Sequence, residues 1–256
     1  MTNANLRHDS NSQSKSVASR NHPDSRSPQW RSVHQSSPTL GRFWRDNGLS
    51  LVLVSLFLLF LGGQTVSGWF HYNEELQEHQ QPRIGLSEYL RSGAFGEAVF
   101  ENWESEFLQM GLYVLLTSFL FQRGSAESND PDGSDEDESA SCDPEHAPLA
   151  ARKGSLVSKI YSHSLSIAFA ALFALSFGGH ALWGARAYNV EATQHGESAL
   201  SVWQYLETSQ FWFESFQNWQ SEFLAIFAIV VLSIWLREKG SPESKPVAAP
   251  HSKTGA

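Results

Sequence analysis

Four apolar stretches, divided by long polar ones, set the pattern of the chain. Leu49 to Phe70 runs about 22 residues without a charge, enough at about 1.5 Å per residue to cross about 30 Å of hydrocarbon. Leu165 to Gly184 is equally uncharged. In Trp103 to Phe121 and Trp219 to Leu236, Glu106 and Glu222 interrupt the first turns. The cores that follow are too long and too evenly apolar for soluble amphipathic helices. The pattern predicts an all-α integral membrane protein with four transmembrane helices.

The polar stretches predict the remaining organisation. Residues 1–40 contain only Leu6, Val17, Val33 and Leu40 as aliphatic residues larger than alanine. Such a segment buries too little apolar surface to offset its ordering entropy, so a disordered tail is expected. An acidic, Gly/Pro/Ser-rich linker is expected over 124–156, and a second polar, disordered tail over 241–256. Between them lie two hairpins, 41–123 and 157–240.

An internal repeat relates the hairpins. A shift of 116 positions lays 49–128 on 165–244 without a gap, with about 29 of about 80 positions identical. Gly62-Gly63 falls on Gly178-Gly179, Tyr72-Asn73 on Tyr188-Asn189, and Asn102-Trp103 on Asn218-Trp219. A duplicated unit that crosses the membrane twice keeps one orientation in both copies, so the two copies are expected to be parallel. Basic residues give the direction. Arg31, Arg42, Arg45, Arg123, Arg152, Lys153, Lys159, Arg237, Lys239 and Lys245 lie in the tails and linker, against Arg83, Arg91 and Arg186 in the connections within the repeats. Both termini and the linker are therefore expected in the cytoplasm.

The runs Arg42-Phe43-Trp44-Arg45-Asp46-Asn47-Gly48, Tyr72-Asn73-Glu74-Glu75, Phe100-Glu101-Asn102-Trp103-Glu104-Ser105-Glu106 and Gln122-Arg123-Gly124-Ser125-Ala126-Glu127-Ser128 carry a resemblance. Across residues 41–240 the chain resembles an uncharacterised family of bacterial membrane proteins known only as a domain of unknown function. The resemblance implies a multi-pass protein of the bacterial cytoplasmic (inner) membrane. It brings no activity and no functional residue.

Composition changes this picture little. The 256 residues hold 18 Lys+Arg against 27 Asp+Glu, a net charge of -9, and their mean hydropathy is -0.31. Those averages describe an acidic soluble protein only because polar segments dilute the apolar spans. The acidic balance argues against a nucleic-acid partner. The single cysteine, Cys142, excludes an internal disulfide and suits a reducing compartment.

Candidate chemistry comes from depth and spacing. Counted along straight helices, Gln64, Glu106, His180 and Glu222 each stand about 16 residues, or about 24 Å, above the cytoplasmic interface. They are expected to form one intramembrane polar layer. It is either a proton- or cation-binding site, with Glu106 and Glu222 as the ligands, or a hydrogen-bonded clasp that holds the bundle or snorkels to the interface. Glu75 with His79, and Glu191 with His195, repeat a four-residue spacing that puts two metal ligands on one helix face. A solvated polar loop is the alternative.

Trp103 and Trp219 fall at the outer interface, where they are expected to anchor the helices. Tyr89, Leu90 and Phe95, and their counterparts Tyr205, Leu206 and Phe211, are expected in amphipathic helices on the outer surface. Glu97, Glu101 and Glu104 of the first copy face Phe213, Gln217 and Gln220 in the second, so the copies are electrostatically unequal. The acidic run beginning at Asp130 lacks the ligand spacing of a calcium loop. No catalytic motif is present, and neither enzyme activity nor a cofactor is expected. The expected role is a non-enzymatic structural or interaction component of the membrane. The other reading is a small proton- or cation-coupled transporter. The lipid bilayer is one partner; a homodimer or another membrane protein is a further possibility.

Overall fold

The structure is a computed structural model that describes residues 40–133, 147–152 and 156–255. The expected N-terminal tail up to residue 39, Cys142 and most of the acidic linker lie outside the described residues. The chain divides into two units, residues 1–55 and 56–256.

The described residues form helices and no strand. They are α1 (Leu40–Glu78), α2 (Leu86–Tyr89), α3 (Gly93–Thr117), α4 (Leu149–Arg152), α5 (Leu156–Ser162), α6 (Ser164–Gln194), α7 (Val202–Tyr205) and α8 (Ser209–Leu232). Among them, α1 and α6 are long and apolar enough to cross a membrane. No residue in the most apolar stretch of α1 is buried. Leu58, Leu59 and Phe60 stand well exposed, an arrangement that water would penalise and hydrocarbon would not.

In the first unit, the described residues are the start of α1. Asn47 donates to the Phe43 carbonyl at 3.0 Å and Ser55 to the Leu51 carbonyl at 2.7 Å, so polar side chains bond back to the preceding turn of their own helix.

The second unit is built around the antiparallel contact of α3 with α6. Small residues let the backbones close up: a Cβ on Gly93 would meet the Ala187 nitrogen at 2.4 Å, and one on Gly96 would meet Trp183 at 2.4 Å. Gly179 receives Phe100 in the same way, with 2.5 Å left for a Cβ. α8 runs parallel to α3. Gln109 donates to the Glu222 carbonyl at 2.9 Å, and nearer the helix starts Trp219 donates to Glu104.

Side-chain hydrogen bonds fix the starts of α3 and α8 and the turns that follow α1 and α6. Ser92 accepts from the Phe95 N–H at 3.3 Å to start α3, and Thr208 accepts from the Phe211 N–H at 3.3 Å to start α8. Asn73 grips both the N–H and carbonyl of Ile84, at 2.7 and 3.2 Å. Asn189 grips Leu200 likewise, at 2.7 and 2.8 Å. Tyr89 and Tyr205 are buried, each with its hydroxyl against a glycine, Gly68 and Gly184. They therefore point inward, and Phe95 and Phe211 belong to α3 and α8 themselves. The separate surface-lying amphipathic helices expected around them are reduced to the four-residue α2 and α7.

The C-terminal segment also departs from expectation. Residues 241–255 form hydrogen-bonded turns, not a structureless tail. Lys245 is buried, and its ammonium donates to the carbonyls of Gly124, His251 and Lys253. Thr254 accepts from the Gly124 N–H at 2.9 Å, and Gly255 donates to Ser125 at 2.9 Å. The first residues of the expected linker, 124–128, are thus held by the chain end. Carbonyls that replace the water around one ammonium make a polar sequence fold, which composition does not register.

Candidate functional site

α3, α6 and α8 bring five ionisable side chains together. The spacing of Glu97, Glu101 and Glu104 puts them on one face of α3, turned toward α6 and α8. His180 of α6 is fully buried among them, its ring stacked on Phe211 with centroids 4.6 Å apart. His180 Nδ1 lies 2.9 Å from Glu104 Oε2, and Nε2 lies 3.4 Å from Glu214 Oε2. Glu104 is also fully buried; its other oxygen accepts from the Trp219 indole N–H at 3.0 Å. Two buried acceptors filled by two donors hold this carboxylate in place.

Glu214 is the most contacted acid. One oxygen accepts from Gln210 at 2.9 Å, while the other faces His180 and, at 3.0 Å, the Tyr205 hydroxyl. Tyr205 also lies 3.2 Å from Glu97 Oε1. A hydroxyl has one proton to give, so Glu97 and Glu214 compete for the single Tyr205 donor. Glu101 accepts from Asn218.

The acidic groups above the spans titrate accordingly. Burial, then the charge of Glu214, pushes Glu97 from the usual carboxyl range up to about 8. Burial also raises Glu101. Burial pushes Glu214 up as well, but hydrogen bonds from His180, Gln210 and Tyr205 outweigh it and leave its carboxyl lowered. Burial raises the Tyr205 phenol, helped by the charges of Glu97 and Glu214.

A cavity of about 600 Å³ adjoins the cluster, and Glu97 forms part of its wall. Gln64, Glu75, His79, Glu191 and Gln210 line it too. Ligand atoms of Glu97, His180 and Glu214 lie within 4.8 Å of one another.

The residues singled out from sequence fall in different places. Of the expected layer, His180 lies at the centre of the cluster, but it hydrogen-bonds to Glu104 and Glu214 and not to the other three. Gln64 donates to the Ala98 carbonyl at 3.3 Å, Glu106 is exposed, and Glu222 is half-buried with its main-chain carbonyl engaged. Equal height along four helices does not make equal azimuth; Glu104 and Glu106, two positions apart, face opposite ways.

Glu75 lies in the last turn of α1 and His79 just beyond it; Glu191 lies in the last turn of α6, which His195 closes. The His79 and His195 rings are 6.3 Å apart, edge to face, and His195 Nδ1 lies 3.0 Å from the Glu191 main-chain carbonyl. Trp103 packs on Phe57 and Phe100. Trp219 turns inward to Glu104, so its indole serves the cluster and not only an interface.

Sequence reasoning passed over Glu104 and Glu214 as partners of His180. The run Glu97, Glu101, Glu104 carried the signal: three acids on one helical face, each replaced by a neutral residue in the other copy. Glu214 has a weaker one, standing where the first copy has Ala98.

A chain whose described residues are all-helical, with two membrane-length apolar helices and a buried carboxylate–histidine cluster among them, is the class that fold and site define. Its family is the one described as a domain of unknown function, DUF6766; the family model matches residues 40–256, and the chain belongs to it. No curated protein and no solved structure matches it significantly.

Proposed function

We propose that the chain is a multi-pass protein of the bacterial cytoplasmic membrane that takes cations from an outward-facing cavity into the Glu97–Glu101–Glu104–His180–Glu214 cluster. One observation carries this reading: Glu97 belongs both to the cavity wall and to the cluster, which gives a buried, predominantly acidic centre a route to solvent. Four acidic side chains share one imidazole there, and both of its nitrogens face a carboxyl oxygen. An excess of buried negative charge favours a cation or proton over an empty centre.

In this reading the four apolar stretches are spans, the two hairpins are parallel copies, and both termini are cytoplasmic. Matching contacts 116 positions apart support the duplication: Asn73 on Ile84 and Asn189 on Leu200, Tyr89 against Gly68 and Tyr205 against Gly184, Gln64 at Ala98 and His180 at Glu214. The basic residues of the tails and linker support the orientation. The intramembrane Glu106 and Glu222 are not the ligands.

Full-length protein in proteoliposomes tests this by flux of H+, Na+ and Zn2+. The wild type is expected to carry one of them, and the Glu97→Gln/Glu214→Gln double variant to lose at least about tenfold of that flux, the loss of roughly 1.4 kcal/mol or more. Glu106→Gln is expected to keep it. Wild-type liposomes as tight as empty ones to all three would overturn the reading.

A second reading is favoured by Glu104, both of whose oxygens are filled by protein donors. In it the cluster is a clasp between α3, α6 and α8. A clasp predicts that the same double variant lowers the melting temperature and that the wild type has no flux.

A further inference from the structure

The further question is which cation the cluster takes, and the answer rests on the cation-binding reading above. We infer that Glu97, His180 and Glu214 form a binding site for a divalent first-row transition-metal ion, with Glu104 as the group that orients the imidazole.

The geometry runs from the histidine outward. An imidazole that binds a metal through one nitrogen characteristically gives its other N–H to a carboxylate, which fixes the tautomer and ring direction. His180 has this arrangement: Nδ1 faces Glu104 Oε2 at 2.9 Å, leaving Nε2 for a ligand bond. Glu104 is itself immobilised by Trp219, so the imidazole is held through a second layer of contacts.

The Nε2 side is different in kind. Its hydrogen bond to Glu214 Oε2, at 3.4 Å, is the longer of the two that His180 makes. Two ligands about 2.0 to 2.1 Å from a tetrahedral ion stand about 3.3 to 3.4 Å apart, so the same separation fits an edge of a coordination sphere. Glu97 supplies the third atom, within 4.8 Å of both. The remaining position opens where Glu97 meets the cavity.

The donor set limits the ion. One imidazole and two carboxylates, with a phenol beside them, suit Zn2+, Mn2+, Fe2+ or Co2+ better than Ca2+, which prefers six to eight oxygens, or Cu+, which prefers sulfur. The other His and Glu pairs lack this arrangement: in the cavity wall His71 Nε2 is 3.3 Å from Glu75 Oε1 on one exposed helix face, and beside it His195 Nδ1 faces the Glu191 main-chain carbonyl.

The test uses the purified full chain in detergent, stripped with a chelator and titrated with Co2+, with total metal measured by mass spectrometry. The expected result is one Co2+ per chain, a visible absorption band of a low-coordinate ion, and displacement by Zn2+. Glu104→Gln should weaken binding by about 10- to 100-fold while the band keeps its shape, as for a carboxylate behind a ligand. His180→Gln and Glu97→Gln/Glu214→Gln should abolish the band, and His195→Asn should leave it unchanged. Thermal melts of each variant separate lost ligation from lost fold.

Should His180→Gln not fold, the wild type and Glu104→Gln decide. No stoichiometric Co2+ in the stripped wild type overturns the site, as does binding that follows His195 instead of Glu104. Flux of H+ or Na+ that depends on Glu97 and Glu214, in protein that holds no metal, overturns the metal site and leaves the cation reading standing.

Discussion

Glu97 shows how a single position acquires its properties from packing. On α3 alone it is one of several acids; against α6 and α8 it is largely buried beside Glu214, and its carboxyl rises to about 8. Its folded-state proton affinity therefore exceeds that of the unfolded chain, whose value is near 4.5. The folded state binds more protons between those limits, so its contribution to stability is complete below about 4.5 and is lost as pH rises through about 8. Melting of metal-free protein in detergent is expected to move downward in temperature from pH 5 to pH 9, and Glu97→Gln to flatten that slope. An unchanged slope in the variant would assign the effect to another group. At Gly96 the controlling term is space. A methyl group there would press on Trp183, so Gly96→Ala is expected to cost about 1–3 kcal/mol, read from melting of the same preparation.

At the scale of elements, the asparagine clamps are the recurring device. Asn73 and Asn189 each bind an N–H and a carbonyl eleven residues on, which sets where the chain turns after α1 and α6. Removing either leaves two main-chain groups without their partners, at about 1–3 kcal/mol. If the two hairpins are copies of one unit, Asn73→Ala and Asn189→Ala should cost the same to within about 0.5 kcal/mol in denaturation experiments. A clear inequality would show that the repeats carry different loads. The chain end is a second element-scale device. Lys245→Met deletes the ammonium that gathers three carbonyls, and limited proteolysis is expected to cut the last fifteen or so residues much faster in the variant than in the wild type.

The whole molecule poses the topological question. Among the described residues two helices, α1 and α6, have membrane length by themselves, while α3 and α8 carry acids at their starts and are not among them. In the proposed arrangement the charged upper turns of α3 and α8 meet above the hydrocarbon, and the apolar lower turns run parallel through it. A reporter fused after Gly124 is expected to be active in the cytoplasm and inactive outside. The opposite result would reverse the orientation and place the acidic cluster at the inner surface.

Apolar length, polar segments and the 116-residue offset are local or periodic properties, and the sequence alone sufficed for an all-helical chain, for α1 and α6 as membrane-length helices, and for family resemblance. It also held the three acids at helical spacing on α3. The identity of the site was not so legible. Depth arithmetic uses only the rise along a helix, so it paired His180 with Glu106 and Glu222; the partners were decided by azimuth, which depends on the close approach of α3 to α6 at Gly93, Gly96 and Gly179. Glu104, Glu214 and Tyr205 come together only through that approach. The docking of the chain end likewise depends on carbonyls of residues more than a hundred positions apart from Lys245 or a few away from it, gathered around one charge, and only the tertiary structure brings such groups within hydrogen-bond reach.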